Sequence, residues 1–254
     1  MRYINLRFLS KCLNGRRHNP PDTTLAAKKA WRRTNKKDIR KACYKQQHGL
    51  CAYTELSLDN AELGCHLEHI APRSNYPERT FIPHNIILSI MSDIQSGALQ
   101  LHEKFGGHHK SEEYADDWFI SPFNRDCATF FKYHLNGLVA ASTTLRASDQ
   151  NKADKTIKVL NLNADYLVER RRECLRALAE QVQALGANDN LLDRETDAPM
   201  FSGVDQKVTE GLTQLATETL ELRSRKLPEF YSAKKQLLEN FGIIETPTNS
   251  PLPL

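Results

Sequence analysis

Glu68 and His69 stand side by side just ahead of Pro72, in the run Cys65-His66-Leu67-Glu68-His69-Ile70-Ala71-Pro72-Arg73-Ser74. Proline lacks a backbone donor and pushes the residue before it out of helical conformations, so regular structure must stop there. Neighbouring side chains on a strand face opposite sides, but at a strand end that opens into an irregular loop both can converge on one small site. A carboxylate is a hard ligand for a divalent cation, and a neutral imidazole can take a proton from a water beside it. These two groups are the minimum equipment for attack on a phosphodiester: a metal for the phosphoryl oxygens and leaving group, and a base for the nucleophile.

Two later signals supply further parts. Pro83-His84-Asn85 ahead of Ile86-Ile87-Leu88 predicts a helix over about residues 85–93, with Asn85 near its cap. Gly106-Gly107-His108-His109-Lys110 sets two imidazoles on a flexible turn, where a second metal ligand could close the site. Residues 51–54 and 65–68 suit two short strands flanking a polar connection, with His69 leaving the second. His66 shares a strand face with Glu68; it reads as an orienting or core histidine, with a ligand role as the alternative.

Charge is distributed unevenly. The net +4 conceals fourteen Lys or Arg against Asp22 and Asp38 in the first fifty residues, which is +12, and −8 over the remainder. The densest part holds Lys28, Lys29, Arg32, Arg33, Lys36, Lys37, Arg40 and Lys41, and such a run attracts a polyanion. Trp31 lies inside it and is read as an anchor onto the core, with base stacking as the alternative. Pro20-Pro21-Asp22 breaks this leader into a short beginning and a helical continuation that reaches about residues 38–48 and ends at Gly49.

At 254 residues with 40% apolar and 26% charged side chains, the chain can bury a sizeable core. No apolar run approaches the length of a membrane span and no secretory signal is visible, so a cytoplasmic location is expected. Cys12, Cys43, Cys51, Cys65, Cys127 and Cys174 are scattered through a chain that needs no staples, which favours reduced thiols. The glycines lack the Lys-Ser or Lys-Thr partner of a nucleotide-binding phosphate loop, so ATP hydrolysis by this chain is not expected.

Downstream, Asn136-Gly137 between strand-forming runs predicts a tight hairpin over residues 130–141. Helices are expected over residues 149–160 and from 163 or 164 to about 185, the second with Leu167, Arg171, Cys174, Leu175, Leu178, Val182 and Leu185 on one stripe. Residues 186–199 read as a boundary. A further helix starts near Val204, another follows Pro228 and ends near Gly242, and residues 246–254 form a proline-rich tail.

The order and spacing of these motifs resemble an HNH endonuclease. The run from Gln46-Gln47-His48-Gly49-Leu50-Cys51-Ala52-Tyr53 through Glu68-His69 and Asn85 to Lys110, continuing through residues 122–137 and 156–163, is similar to the PtuB-like HNH nucleases of Septu antiphage systems, including retron-associated ones. The resemblance implies an α+β fold, a compact HNH (ββα-metal) nuclease core with mainly α-helical N- and C-terminal elaborations. Its parts would be a basic leader over 1–50, the nuclease core over 51–125, a hairpin and helical extension over 126–185, a helical region over 186–243 and a flexible tail over 244–254. By the same resemblance His69 is the general base, Glu68 the metal carboxylate, Asn85 the brace of the loop, and His108 the last metal ligand, with His109 as the competing choice. The implied cofactor is Mg²⁺ or Mn²⁺.

The implied partners are nucleic acid, a PtuA-like ABC-type ATPase and, through the complex, a retron reverse transcriptase with its RNA/DNA product. DNA is the expected substrate, with RNA such as tRNA the alternative. Where relatives carry two Cys-x-x-Cys pairs for a structural zinc, this chain has Cys51-Ala52-Tyr53-Thr54 and then Met91 and Gly106, so no structural zinc is expected. The competing function classes are a non-catalytic nucleic-acid-binding adaptor and a structural regulator of the partner ATPase.

Overall fold

A computed structural model describes residues 1–7, 10–185 and 206–244. The basic leader folds as three helices, α1 (Lys11–Arg16), α2 (Thr24–Arg32) and α3 (Lys36–Gln46). Each of the last two begins at a polar cap, where the Thr23 side chain accepts from the Ala26 amide and the Asn35 side chain from that of Lys37. Past the end of α3 the chain turns through left-handed backbone at His48 and Gly49. Ile39 and Cys43 bury the inner face of α3, leaving its lysines outside.

β1 (Cys65–His69) and β2 (Ile86–Ile90) form an antiparallel pair running from Cys65 opposite Ile90 to His69 opposite Ile86. The helix expected over residues 85–93 is therefore a strand. Ile86-Ile87-Leu88-Ser89-Ile90 is rich in β-branched residues, lacks helical periodicity and is buried on both faces, so cross-strand packing outweighs the helix-start signal of Pro83 and Asn85. The partner expected for β1 at residues 51–54 is instead a turn, closed by the Glu55 amide donating to the Cys51 carbonyl, with Glu55 at φ 61°. Gln47 serves as a strand surrogate on the free side of β2: its amide donates to the Leu88 carbonyl and its oxygen accepts from the Leu88 amide, at 2.8 and 2.7 Å.

α4 (Asp93–Ala98) and the single turn α5 (Gly107–Lys110) follow. β3 (Phe131–Tyr133) and β4 (Val139–Ala141) make the expected hairpin around Asn136-Gly137. Gly137 is at φ 88°, and a Cβ there would sit 2.1 Å from the Val168 carbonyl oxygen, so only glycine fits the turn against the next helix. α6 (Ala147–Val159), α7 (Asp165–Ala184), α8 (Gln206–Leu220) and α9 (Tyr231–Asn240) complete the described elements. α7 buries Leu167, Arg171, Leu175, Leu178 and Val182, most of the expected stripe. Arg171 is enclosed because its guanidinium donates to the carbonyls of Gly137 and Leu162 and lies against the Tyr133 and Phe230 rings.

Glu55 joins the two ends of this arrangement. Its carboxylate is buried, accepts from the Ser232 amide and hydroxyl at the start of α9, and lies 3.3 Å from the Met1 ammonium. Burial alone would raise this carboxyl, but the Met1 ammonium, Ser232 and Arg2 outweigh it and hold it below its ordinary value. One contiguous cluster of buried side chains runs from Met1 through β1, β2 and the hairpin to Phe241. All six cysteines are free thiols. Among the described residues no helix is long and apolar enough to cross a membrane. The boundary expected at residues 186–199, the helix start near Val204 and the tail over 246–254 lie outside the described residues.

Candidate functional site

The last turn of β1 opens into a loop that runs back to β2, and Asn85 fastens the two ends of that loop. Its side-chain oxygen accepts from the Ala71 amide at 2.7 Å, and its NH₂ donates to the carbonyls of Ala71 and Arg79 at 3.1 and 3.0 Å. A buried amide with both ends satisfied rigidifies the loop that follows Glu68 and His69. Beside it lies a cleft of about 340 Å³ whose lining includes His66, Glu68, His69, Arg73, Asp93, His108 and Lys28. Glu68 and His69 do meet at one cleft, as a strand end permits.

His69 is 6% exposed, with Trp31 packed edge-on at 4.5 Å between ring centroids. Trp31 is itself buried, so it anchors α2 over the imidazole. Nε2 of His69 lies 3.0 Å from the Thr80 carbonyl, which only accepts, so Nε2 carries the proton and Nδ1 the lone pair. Burial, then the positive charge of Arg73, lowers this imidazole to about 3. The ring is neutral across the physiological range, which is the form a base requires.

Glu68 faces the short helix α5. Lys110, with a fully enclosed side chain, brings its ammonium to 2.9 Å from Oε1 as an ion pair. Burial would raise the Glu68 carboxyl, but Lys110 and then His66 hold it down at about 2. His66 stands 3.6 Å away, Nε2 to Oε2. Its ring lies 4.0 Å from that of His108, and Nε2 of His108 is 3.5 Å from Oδ1 of Asp93. Burial and then His66 lower His108 to about 4.

Of the two competing imidazoles, His108 lines the cleft, whereas Nδ1 of His109 hydrogen-bonds to the Val159 carbonyl at 2.8 Å. Successive helical residues point about 100° apart, which sends His109 toward the end of α6. The basic leader divides similarly. Lys28 lines the cleft, while Lys29, Arg32, Arg33, Lys37 and Lys41 are exposed. Lys36 donates to the Trp31 carbonyl and Arg40 to the Cys65 carbonyl, so these two brace the fold. Arg73, Lys110 and Asp93 were given no role by the sequence. Arg73 and Lys110 adjoin the two motifs that were read, which was the available signal; Asp93 had none.

Among the described residues, no three His, Cys, Asp or Glu side chains already surround a common point in the manner of metal ligands. Two features nevertheless fit a cation at the His66, Glu68 and His108 end of the cleft. Nε2 of His108 is enclosed without a hydrogen-bond partner. A Cβ on Gly107 would stand 2.8 Å from Nε2 of His66 and 2.9 Å from the Glu68 carboxyl carbon, so the missing side chain keeps both donors uncovered. Cys51 Sγ accepts from the Ile90 amide, and Met91 is buried. No family model matches the chain, and no curated protein matches it.

Proposed function

We propose that this protein is a metal-dependent phosphodiester hydrolase, a nuclease of the HNH kind. The observation that carries this reading is the convergence of Glu68, His69 and His108 on one cleft beside a loop locked by Asn85. Glu68 and His108 would hold a divalent ion, which when bound polarises a phosphoryl oxygen and the leaving oxygen. His69 takes the proton of the attacking water at Nδ1, while the Thr80 carbonyl fixes the ring. A phosphate entering beside Arg73 and Lys28 is met by positive charge, and its own negative charge offsets the effect of Arg73 on His69, which strengthens the base when substrate is present. Exposed lysines and arginines of α2 and α3 supply sequence-independent attraction for the strand. The proposal takes DNA as substrate, with structured RNA such as tRNA as the alternative.

Control by an ABC-type ATPase, and through it a retron product, belongs to the proposal on the Septu resemblance alone. One observation favours a second reading, a non-catalytic nucleic-acid-binding adaptor: Lys110 already gives Glu68 a counter-charge. Plasmid DNA and tRNA incubated with the purified chain and its co-expressed neighbours, with Mg²⁺, Mn²⁺ or chelator, separate the two. Cleavage lost with chelator and in His69→Ala supports the hydrolase. Binding without cleavage under every condition supports the adaptor, and cleavage that survives both treatments sinks the mechanism.

A further inference from the structure

We infer that His66 is itself an ion ligand, and that the cleft is built for a nitrogen-preferring divalent transition ion such as Co²⁺ or Zn²⁺ rather than for Mg²⁺. The inference rests on the hydrolase reading of the same cleft and adds the ligand that decides which ion it takes.

Nδ1 of His66 lies 2.7 Å from the Met91 carbonyl, so Nδ1 bears the proton and Nε2 presents its lone pair to the cleft. Histidines that bind metals are held in this way, with the far nitrogen donating to a carbonyl or carboxylate. Met91 reaches that position in left-handed backbone at φ 79°, which a residue with a β-carbon adopts only under constraint. Nε2 then stands 3.6 Å from Oε2 of Glu68, and in the neutral ring its lone pair is directed into the cleft. Donors sharing a tetrahedral ion at about 2.1 Å each lie roughly 3.4 Å apart. His108 repeats the pattern, with its unpartnered Nε2 at 3.5 Å from Asp93 Oδ1. The 4.0 Å between the two rings puts both imidazoles at one end of the cleft.

Asp93 is 88% exposed at the first turn of α4, so its side chain is free to complete the set by rotation. Lys110 leaves Oε2, not Oε1, as the Glu68 oxygen turned to the histidines. Two imidazoles with one or two carboxylate oxygens suit the later first-row ions, whereas Mg²⁺ seeks an octahedron of oxygens.

The test uses the full chain stripped with chelator, titrated with Co²⁺ by visible absorption and with Mn²⁺ and Mg²⁺ by calorimetry. Wild type should bind one equivalent of Co²⁺ far more tightly than Mg²⁺. His66→Gln should weaken Co²⁺ at least about tenfold and change its spectrum, and Gly107→Ala should do the same by crowding Nε2, while His84→Gln on the exposed surface changes neither. In ¹⁵N-histidine wild type, Mn²⁺ should broaden the His66 ring signals, a readout independent of how the variants fold. Unchanged Co²⁺ affinity and spectrum in His66→Gln, together with a loss in His108→Ala, would leave the hydrolase standing and reduce His66 to an orienting group. Mg²⁺ bound more tightly than Co²⁺ overturns the ion preference. Failure of wild type to bind any of the three ions removes the metal-dependent reading itself.

Discussion

The Lys110 ammonium lies 2.9 Å from Oε1 of Glu68 with its own side chain wholly enclosed, so α5 and β1 are joined by opposite charges within the wall of the cleft. Removing one partner of such a pair leaves the other buried and uncompensated. Lys110→Met should therefore cost about 3 kcal/mol or more of folding stability. Adding Glu68→Gln to Lys110→Met should restore part of that loss. Urea denaturation of the two single variants and the double variant gives the coupling directly, and additive losses would show the pair to be uncoupled.

Asn85 fills three hydrogen bonds from a buried position. Asn85→Ala strands the Ala71 amide and two carbonyls, and should cost about 2–4 kcal/mol. The loss should be visible as faster amide exchange at Ile70 and Ala71, because those residues leave β1 where Asn85 holds them. Protection there that matches wild type would mean the loop is held by something else.

Acid should weaken the fold before its carboxylates titrate. His69 is depressed from 6.5 to about 3 by burial and then Arg73, and His108 to about 4 by burial and then His66. Over this range the unfolded chain binds protons that the folded chain refuses, so stability is full above pH 6.5 and falls as the pH drops toward the folded values. Glu68, held at about 2 against an ordinary 4.5, adds its loss only below pH 4.5. Between pH 6.5 and 4.5 the decline should reach a few kcal/mol. Urea melts across that window should show a shallower slope for His69→Gln; an identical slope would assign the effect to other groups.

Gly137→Ala places a methyl carbon 2.1 Å from the Val168 oxygen at φ 88°. The variant should lose about 3 kcal/mol or more, or fail to accumulate folded. A thermal melt within a degree or two of wild type would mean the hairpin and α7 separate freely.

Local signals were legible where chemistry and periodicity agree. The Asn136-Gly137 turn, the stripe of α7 and the helix α3 ahead of Gly49 all lie close to where they were expected. β2 was misread because its identity depends on β1 pairing with it across the loop, and five buried residues, all but Ser89 apolar, carry no period that separates strand from helix. Glu68, His69 and Asn85 were visible as a motif, but their partners were not. Lys110 acts through an ion pair formed in space, Asp93 arrives from a different helix, and the choice between His108 and His109 depends on the rotation of one helical turn.

Glu55 accepts from the backbone amide of Ser232, 177 residues further along the chain, and the Ser57 amide in turn donates to the Glu229 carboxylate. The turn that carries Glu55 also touches β2, where the Ala52 amide donates to the Leu88 carbonyl. Contacts so distant in sequence form late, since the intervening chain must be synthesised and folded first. On the ribosome, Glu55 can meet the Met1 ammonium early, but its hydrogen bonds from Ser232 must wait for α9 to emerge. During that interval the turn that carries Glu55 lacks its clasp from the start of α9. A growing chain of this protein thus carries the turn of Glu55 without its C-terminal clasp until α9 has been translated.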